Sequence, residues 1–588
     1  MTLLERTATE LDGVTVPRAR MRSIAARAEL APALALTAAL ALWAVSLRGI
    51  ELRSMTSLGL VSVLPPTAFL ALALVGTSFC LTLSRRPTRE ALIGVHVVAL
   101  VFMLYALPAL IEPTARFAVT WRHAGVMQSI LDTGHIAPGT NPYFDWPGLF
   151  VLAGFAAKSA GASGVLGVAN WVPFGFELLY LAPLLLILRT LTIDRRLVWL
   201  AVWVFYLCNW IGQDYFSPQA FAYLLYLVVL AVLLGWMRPG WPGSRARPAV
   251  RSALVAVVLL VFAVMVVSHQ LTPFALLAST TALTVSRRCS ARGLPLAMGV
   301  IVLLWLSYMT AGFIGEHTGA IFGAIGNVDA TVNQNVAGRL HGDTGHVIVT
   351  RARVAMTLGL WVVALVTALW LRRTGHREPA PLLLLLAPFV LALLQPYGGE
   401  VLLRVFLFGL PFAAFFVAAA LSRAPVAVLV GVTLALLGGF LVTRYGNERM
   451  DWYSVDEVAA TNRLDAVAPP GSTIVAWSNS LPWQARHYAE HRYRIVVGSA
   501  AWGAMAQMPP GGPVQLTALE QYLRAQKGGA YLILTRSEGA EVDLTGVGPR
   551  GSLPRVDAGL RRSPAFRRLY ANRDASIYTL AFPNRRRP

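Results

Sequence analysis

The hydrophobic residues of this 588-residue chain fall into long runs that are separated by short polar segments. Apolar runs of about 17–25 residues, bounded by charged residues, Gly or Pro, are typical of transmembrane helices. In a bilayer, a single segment satisfies its backbone hydrogen bonds only as a helix. The pattern therefore predicts a polytopic α-helical membrane protein with about thirteen transmembrane helices. The predicted spans are 30–47, 59–83, 91–111, 169–191, 197–212, 219–236, 252–268, 271–286, 294–313, 353–371, 380–396, 403–421 and 425–443.

Arginine sets the expected orientation of these spans. Short connections dense in Arg alternate with connections that are poorer in cations, and the positive-inside rule assigns the Arg-rich ones to the cytoplasm. The tail 1–29 is then cytoplasmic, and the chain after the last span lies outside. We therefore expect a multi-pass plasma-membrane protein. The Arg-rich connections are 84–90, 192–196, 237–251, 286–293, 372–379 and 422–424.

Residues 444–588 differ from the rest of the chain, because their apolar runs are short. Thr473–Trp477 and Tyr531–Thr535 are predicted strands, and helical patterns alternate with them. Such alternation over a stretch of this length predicts a compact α/β domain. The expected organisation is a tail at 1–29, a membrane domain at 30–443 with outer loops 112–168 and 313–352, and an extracytoplasmic α/β domain at 444–588.

Composition narrows the class of protein. Hydrophobic residues make up 56% of the chain and charged residues 13%, which excludes a soluble multidomain protein and an intrinsically disordered one. The formal net charge of +21 does not indicate nucleic-acid binding. A large part of it is Arg in the predicted cytoplasmic segments, where it sets the topology and contacts anionic lipid. Membrane lipids are the expected surroundings, and no nucleic-acid partner is expected.

Both long outer loops carry polar residues of chemical interest. In loop 112–168, a helical stretch at 117–131 holds Arg122 and His123, and it is followed by Asp132 and Asp145. The helices of this loop either brace the bundle or flank a site at the membrane surface. Loop 313–352 is rich in Gly and contains Arg339 and His346. It is either a mobile lid with donors for a phosphate or a plain connector.

Two short motifs lie at predicted outer ends of spans. QDYFSPQ (213–219) contains Asp214 and Gln219, and a carboxylate at a bundle mouth is costly unless it is solvated, paired or used. YGGEVLLR (397–404) places Glu400 four residues before Arg404, so both lie on one helix face. The pair is either an internal ion pair or a phosphate-binding Arg that Glu400 orients.

Most of these polar groups lie on the predicted outer side, where ATP is not available. A group-transfer enzyme there needs an activated, lipid-linked donor, and transfer of a sugar from a polyprenyl phosphate fits this requirement. A carboxylate would take the proton of the acceptor hydroxyl, while Arg side chains would hold the leaving phosphate.

The chain resembles bacterial membrane glycosyltransferases of the GT-C fold class, the lipid-phosphosugar-dependent type that includes protein mannosyltransferases, aminoarabinose transferases and mycobacterial arabinofuranosyltransferases. The likeness rests on the long first outer loop, the many spans and the C-terminal outer domain, and QDYFSPQ and YGGEVLLR are similar to stretches of uncharacterised actinobacterial members. It implies transfer of a sugar from a polyprenyl-phosphate donor to an envelope glycan, lipid or protein acceptor. The catalytic carboxylate is expected among Asp132, Asp145 and Asp214. Substrate or phosphate binding is expected from Arg122, His123, Gln219, Arg339, His346, Glu400 and Arg404.

One departure keeps other functions open. The GT-C class usually carries an acidic residue, often in a pair, early in its first outer loop, whereas this loop begins Glu112-Pro113 and contains no acidic pair. No spacing typical of metal ligands occurs, so no metal residues are predicted and a divalent metal is an alternative without support. A non-catalytic scaffold for envelope assembly is the second hypothesis. A lipid or solute transporter is the third, although only Glu177 lies deep in a span.

Overall fold

The computed structural model describes residues 18–85, 89–136, 141–245, 247–312, 340–376, 378–394 and 400–581. Two parts follow one another along the chain: a helical bundle and a small C-terminal unit built on a five-stranded sheet. Among the described residues, seven helices are long and apolar enough to cross a membrane. The prediction of a helical membrane protein is therefore confirmed.

The helices of the bundle follow the apolar runs closely. They are α1 (Arg18–Ser46), α2 (Pro66–Leu83), α3 (Glu90–Tyr105), α4 (Leu107–Ile111), α5 (Ala118–Thr133), α6 (Pro142–Asp145), α7 (Gly148–Ser159), α8 (Val172–Leu191), α9 (Arg195–Cys208), α10 (Pro218–Trp236), α11 (Pro248–Ser268), α12 (Thr272–Val285), α13 (Leu294–Tyr308), α14 (Thr344–Arg373), α15 (Ala380–Leu386), α16 (Val390–Leu394), α17 (Val401–Leu421) and α18 (Val426–Tyr445).

The seven membrane-length segments are α2, a segment from Ala169 to Leu191 that contains α8, and α10, α11, α14, α17 and α18. Shorter apolar helices occupy several of the other predicted spans, so thirteen spans remains a prediction. Helix α14 begins at Thr344, nine residues before the predicted span, because Asp343 caps it by accepting the Gly345 N–H at 2.9 Å. The end of predicted loop 313–352 is therefore helical, while residues 313–339 lie outside the described residues.

Burial identifies the centre of the bundle. In the most apolar segment of α17, 89% of the residues are buried, whereas only 22% are buried in the corresponding segments of α11 and α14. The central helix packs against α9 and α14, and α10 packs against α8 and α11. Helices buried on every side form the interior of a bundle, and those with an exposed apolar face border lipid. The first turns of α10 and α17 are therefore buried in the protein.

The C-terminal unit contains α19 (Glu448–Asp451), α20 (Val455–Val467), β1 (Thr473–Ala476), β2 (Arg492–Ile495), α21 (Trp502–Met505), α22 (Pro513–Arg524), β3 (Ala530–Thr535), α23 (Arg536–Thr545), α24 (Ser552–Arg562), β4 (Phe566–Ala571) and β5 (Ala575–Leu580). The strand order is β2-β1-β3-β5-β4. Strand β1 pairs in parallel with β2 and with β3, whereas β5 pairs antiparallel with β3 and with β4. Apolar clusters cover both faces of the sheet. The predicted strands are present, and β2, β4 and β5 complete the sheet.

The loop predicted to flank the membrane forms two helices, α5 and α7, where sequence periodicity placed them. Gly125 on α5 lets that helix lie directly on the backbone of the C-terminal unit, because an added Cβ would stand 1.8 Å from the Gln484 carbonyl oxygen. Gly148 at the start of α7 similarly approaches Ser268, at the end of α11. These two contacts fix the loop between the C-terminal unit and the bundle.

Candidate functional site

A cavity of about 330 Å³ lies where α5 and α6 meet the ends of α10, α11 and α17. This volume is at the lower end of the range of about 300–1,000 Å³ that small-molecule sites occupy. Four of the predicted binding residues line it. These are Arg122, His123, Gln219 and Arg404, and the other lining residues are Asn141, Pro142, Tyr143, Trp146, Gln213, Tyr215, Ser217, Pro218, Ser268, His269 and Gln270.

Arg122 reaches this cavity from α5. Its Nε donates to Gln484 Oε1 at 2.6 Å, and its Nη2 lies 3.4 Å from Asn479 Oδ1. Both partners are neutral amides from the loop that follows β1. They hold the guanidinium in place without cancelling its charge, so Arg122 keeps its positive charge beside the cavity.

His123 is the next residue on α5, and a hydrogen bond fixes the tautomer of its ring. Nδ1 lies 2.8 Å from the Phe216 carbonyl oxygen, so Nδ1 carries the hydrogen and donates it. Nε2 is then an acceptor, and it is buried with no hydrogen-bond partner among the described residues. Burial lowers the pKa of His123 to about 3, and neighbouring Arg122 adds to this shift. The ring is therefore neutral and offers an acceptor.

His269, in the connection between α11 and α12, has the opposite tautomer. Its Nδ1 accepts the backbone N–H groups of Leu271 at 3.2 Å and Thr272 at 3.1 Å, so the ring hydrogen is on Nε2. Burial, Arg404 and His123 lower its pKa to about 3. The cavity is thus lined by two neutral imidazoles, of which one keeps an acceptor and the other a donor.

The QDYFSPQ motif forms one wall. Ser217 caps α10 by accepting the Ala220 N–H at 3.1 Å, and Pro218 occupies the first helical position. This cap brings Gln219 into the interior, where its Nε2 lies 3.5 Å from Thr272 Oγ1. The Oε1 atoms of Gln213 and Gln219 are buried, and neither has a hydrogen-bond partner in the part of the chain that the structure describes. Together with His123, they supply three acceptors that a bound molecule could satisfy.

Arg404 enters from the central helix α17 and is bonded to Glu400, as the interval of four residues predicted. Its Nη2 donates to Glu400 Oε2 at 2.7 Å. The Arg404 side chain is 7% exposed, whereas Glu400 is 40% exposed. The carboxylate therefore holds the guanidinium from its solvated side, and Arg404 lines the cavity.

The three carboxylates predicted as catalytic lie in different surroundings, and none belongs to the described cavity lining. Asp145 is buried at the end of α6, and its neighbour Trp146 lines the cavity. Asp132 is exposed and accepts from Gln128 Nε2 at 2.7 Å, one turn back on α5. Asp214 is buried and accepts two hydrogen bonds from Arg444 Nη2, at 2.8 and 2.9 Å.

The Asp214–Arg444 ion pair belongs to a wider polar cluster inside the bundle. Glu177 Oε1 accepts from Asn209 Nδ2 at 2.7 Å, and the Arg444 guanidinium lies 4.6 Å from the centre of the Tyr105 ring. All four charged or amide side chains of this cluster are buried. Glu177, the carboxylate that the sequence places deep in a span, is therefore hydrogen bonded within this cluster.

An acidic pair that the sequence of the first outer loop lacks is assembled by the fold. Glu112, just beyond α4, lies beside Glu448 of α19, and both are buried. Arg116 donates from Nε to Glu448 Oε1 at 2.7 Å and makes a second bond to Oε2. Burial and the nearby Glu448 carboxylate raise the pKa of Glu112 well above its usual value. The two acids are 336 positions apart, so no local motif could reveal them.

Strain marks the start of α5, directly after Arg116. Phe117 has φ = +63°, a conformation that is costly for a residue with a Cβ. Its N–H donates to the Asp451 carbonyl oxygen at 3.1 Å, and its ring lies 4.3 Å from the Arg116 guanidinium. The C-terminal unit therefore helps to hold the conformation from which α5 begins.

The other three predicted binding residues, Arg339, His346 and Glu400, are not in the described lining. Arg339 lies outside the described residues. His346 is buried near the start of α14, where its Nδ1 lies 3.1 Å from Asn447 Oδ1. Sequence reasoning missed Asn479, Gln484 and Tyr143. For Tyr143, the turn-rich sequence Asn141-Pro142-Tyr143 was the available signal. Within the described ranges, no group of three or more His, Cys, Asp or Glu has a metal-binding arrangement.

Comparisons with known proteins give structural likenesses only. No protein-family model matches the sequence, and no curated protein matches it. Crystal structures that resemble the fold include ArnT from Cupriavidus metallidurans bound to undecaprenyl phosphate, at 13% identity and a TM-score of 0.47. That match covers 83% of this chain and 97% of ArnT.

Two further likenesses are to an archaeal enzyme. The Archaeoglobus fulgidus oligosaccharyltransferase tethered to an acceptor peptide matches at 11% identity and a TM-score of 0.47, over 84% of this chain and 72% of that one. AglB from Archaeoglobus fulgidus, in complex with an inhibitory peptide and a dolichol-phosphate, matches at 11% identity and a TM-score of 0.47, over 84% and 74%. Identities and TM-scores this low show nothing about the function of this chain.

Proposed function

We propose that this protein is a membrane glycosyltransferase that moves a sugar from a polyprenyl-phosphate donor to an envelope glycan, lipid or protein acceptor on the outer face. The N-terminal tail would be cytoplasmic, and the C-terminal unit would be extracytoplasmic. The GT-C resemblance of the sequence leads to the same reaction class.

The observation that carries this proposal is the presence of two arginines on one cavity. Arg122 and Arg404 are 282 positions apart in the chain, and both line the same cavity of about 330 Å³. Paired guanidinium groups favour a phosphate, because each donates charge-assisted hydrogen bonds to its oxygens. The cavity lies at the ends of apolar helices, which suits a phosphate attached to a lipid chain.

The remaining lining groups favour a sugar beside the phosphate. Three buried acceptors have no partner within the described ranges: His123 Nε2, Gln213 Oε1 and Gln219 Oε1. A buried acceptor left unsatisfied costs about 1–3 kcal/mol, so a ligand that brings hydroxyl hydrogens is favoured. Tyr143 and Trp146 add the flat surfaces against which a sugar ring packs.

The chemistry follows from these positions. The bond between the sugar's anomeric carbon and the donor phosphate oxygen breaks, and a bond from the acceptor oxygen to that carbon forms. The electron pair of the broken bond leaves on the lipid phosphate, where Arg122 and Arg404 stabilise the charge. The acceptor's proton passes to a carboxylate, for which we propose Asp145, because it is buried beside the lining residue Trp146. Glu400 positions Arg404 and does not touch the reacting atoms.

The test uses the purified full-length protein and a panel of decaprenyl-phosphate sugars, with release of the lipid phosphate as the readout. Asp145→Asn is expected to abolish release, whereas Asp132→Asn, the matched exposed carboxylate of the same loop, should leave it unchanged. Full activity of Asp145→Asn would overturn the assignment of the base. If no donor in the panel released lipid phosphate, the proposed reaction would fail, and the scaffold hypothesis would take its place.

A further inference from the structure

A second concave surface lies among the spans and shares no residue with the polar cavity. It is an apolar groove of about 680 Å³ between α1, α3 and the start of α8. Leu40, Trp43 and Leu47 form one wall at helical spacing, and Val95, Val98 and Phe102 form the other. Val95 and Val98 are 53% and 37% exposed, so the groove opens at the surface of the bundle.

The groove has a charged end. Arg48 lines it directly after α1, at the end that the predicted topology places outside, and its side chain is exposed. At a rise of 1.5 Å per residue, the wall from Leu40 to Arg48 is about 12 Å long. One leaflet of the hydrocarbon core is about 15 Å thick, half of the whole core. The groove therefore has the length of a lipid chain in one leaflet, with a cation where the headgroup of that lipid would lie.

A polar group within the groove indicates which lipid fits. Trp43 lines the groove, and its indole Nε1–H is buried with no acceptor among the residues that the structure describes. Trp43 precedes Arg48 by five residues, so the indole lies about 7 Å deeper along the helix. In a phospholipid, the ester carbonyls lie below the phosphate, whereas a polyprenyl phosphate carries no ester.

We propose that this groove is a binding site for an anionic, ester-linked phospholipid of the outer leaflet. One acyl chain lies between α1 and α3, Arg48 pairs with the phosphate, and Trp43 donates to an ester carbonyl. The site fixes α1 to α3, and the proposal does not depend on the glycosyltransferase assignment.

The test is native mass spectrometry of the full-length protein in detergent after equilibration with phosphatidylglycerol, phosphatidylcholine or undecaprenyl phosphate. The wild type should retain phosphatidylglycerol in preference to phosphatidylcholine. Ala44→Trp, which fills the groove, should remove the bound lipid, whereas Val45→Trp, on the neighbouring exposed position, should not. Val98→Trp fills the groove from the opposite wall and is the second groove-filling variant, to be used if Ala44→Trp does not fold.

Arg48→Gln tests the charge and should lower phosphatidylglycerol affinity by about fivefold, with little effect on phosphatidylcholine. Trp43→Phe should weaken both phospholipids and leave undecaprenyl phosphate unaffected. Retention of phosphatidylglycerol by both groove-filling variants would overturn the site. Displacement of phosphatidylglycerol by undecaprenyl phosphate would overturn the choice of a phospholipid and assign the groove to a polyprenyl chain.

Discussion

The polar cavity and the Asp214–Arg444 cluster use similar residues in opposite ways. In the cluster, Arg444 makes two bonds to a buried carboxylate, so its charge is neutralised inside the protein. At the cavity, Arg122 is held by two neutral amides, and Arg404 is held by a carboxylate that is itself 40% exposed. The residue type therefore says little about the role, and the partners of each charge decide whether it stabilises the fold or remains available for a ligand.

The strongest test of this contrast removes one member of the buried pair. Arg444→Gln leaves the Asp214 carboxylate buried without its cation, which should destabilise the protein by about 3–5 kcal/mol. Thermal unfolding in detergent, followed by tryptophan fluorescence, measures the loss. The double variant Asp214→Leu/Arg444→Met should lose less than the single variant. Equal losses would show that the two charges do not depend on each other.

The matching change at the cavity should affect activity and leave stability almost unchanged. Arg404→Gln removes the guanidinium that we propose stabilises the leaving phosphate, so lipid-phosphate release should fall about 100-fold, equivalent to about 2.7 kcal/mol. Arg567→Gln, an exposed arginine of β4, is the control and should keep full activity. A large drop in unfolding temperature without a change in turnover would reverse the roles assigned to Arg404 and Arg444.

The docking of α5 on the C-terminal unit should be sensitive to a single methyl group. Gly125→Ala places a Cβ 1.8 Å from the Gln484 carbonyl oxygen, and relieving that contact should cost about 1–3 kcal/mol and displace Arg122. Gly175→Ala, in α8 with open space around it, is the control and should be neutral or slightly stabilising. Thermal unfolding and lipid-phosphate release of both variants provide the comparison. Equal behaviour of the two would mean that α5 does not depend on this contact.

A smaller effect is expected from the acceptor that His123 offers. His123→Asn keeps a donor near the Phe216 carbonyl and removes Nε2, so kcat/KM should fall about tenfold, equivalent to about 1.4 kcal/mol. His123→Ala removes both groups and should also lower the unfolding temperature. If the Asn variant were as active as the wild type, the ligand would not bond to Nε2.

The last prediction is a pH dependence at Asp451, which lies on α19 with Glu448. Burial and the neighbouring Glu448 raise the pKa of Asp451 to about 7, while Arg116 and Arg353 oppose this shift. In the folded protein, Asp451 therefore binds a proton at a pH where the unfolded chain has released it. Its contribution to stability falls as the pH rises from about 4 to about 7. The gain in unfolding temperature from Asp451→Asn should be larger at pH 8 than at pH 5, and a gain independent of pH would contradict the assignment.

Helices of the membrane domain could be predicted because their signal is local. The apolar runs that became α2, α10 and α17 are bounded by turn residues or charges, and Ser217-Pro218 marks the start of α10 by itself. The Glu400–Arg404 bond was equally predictable, because an interval of four residues places both side chains on one helix face. These features depend only on residues that are close in the chain.

Partners from distant parts of the chain could not be predicted in this way. In the sequence, Asp214 is an equally good candidate for a catalytic and for a structural carboxylate. Its ion pair with Arg444, which lies 230 positions later in the chain, forms only because α18 packs beside it. Asn479 and Gln484 carry no local sign that they hold Arg122. Sequence reasoning also found no acidic partner for Glu112, which Glu448 supplies from the C-terminal unit.

By itself, the sequence determined that this is a helical membrane protein with a small α/β unit at its C-terminal end, because hydrophobic burial and helix periodicity act over short stretches of chain. It also determined which polar residues lie near the ends of the spans. Only the tertiary structure decided which of those residues share a cavity and which neutralise one another. The physical reason is that a charge in a low-dielectric interior is governed by its nearest opposite charge and hydrogen-bond partners, and folding brings these from far along the chain.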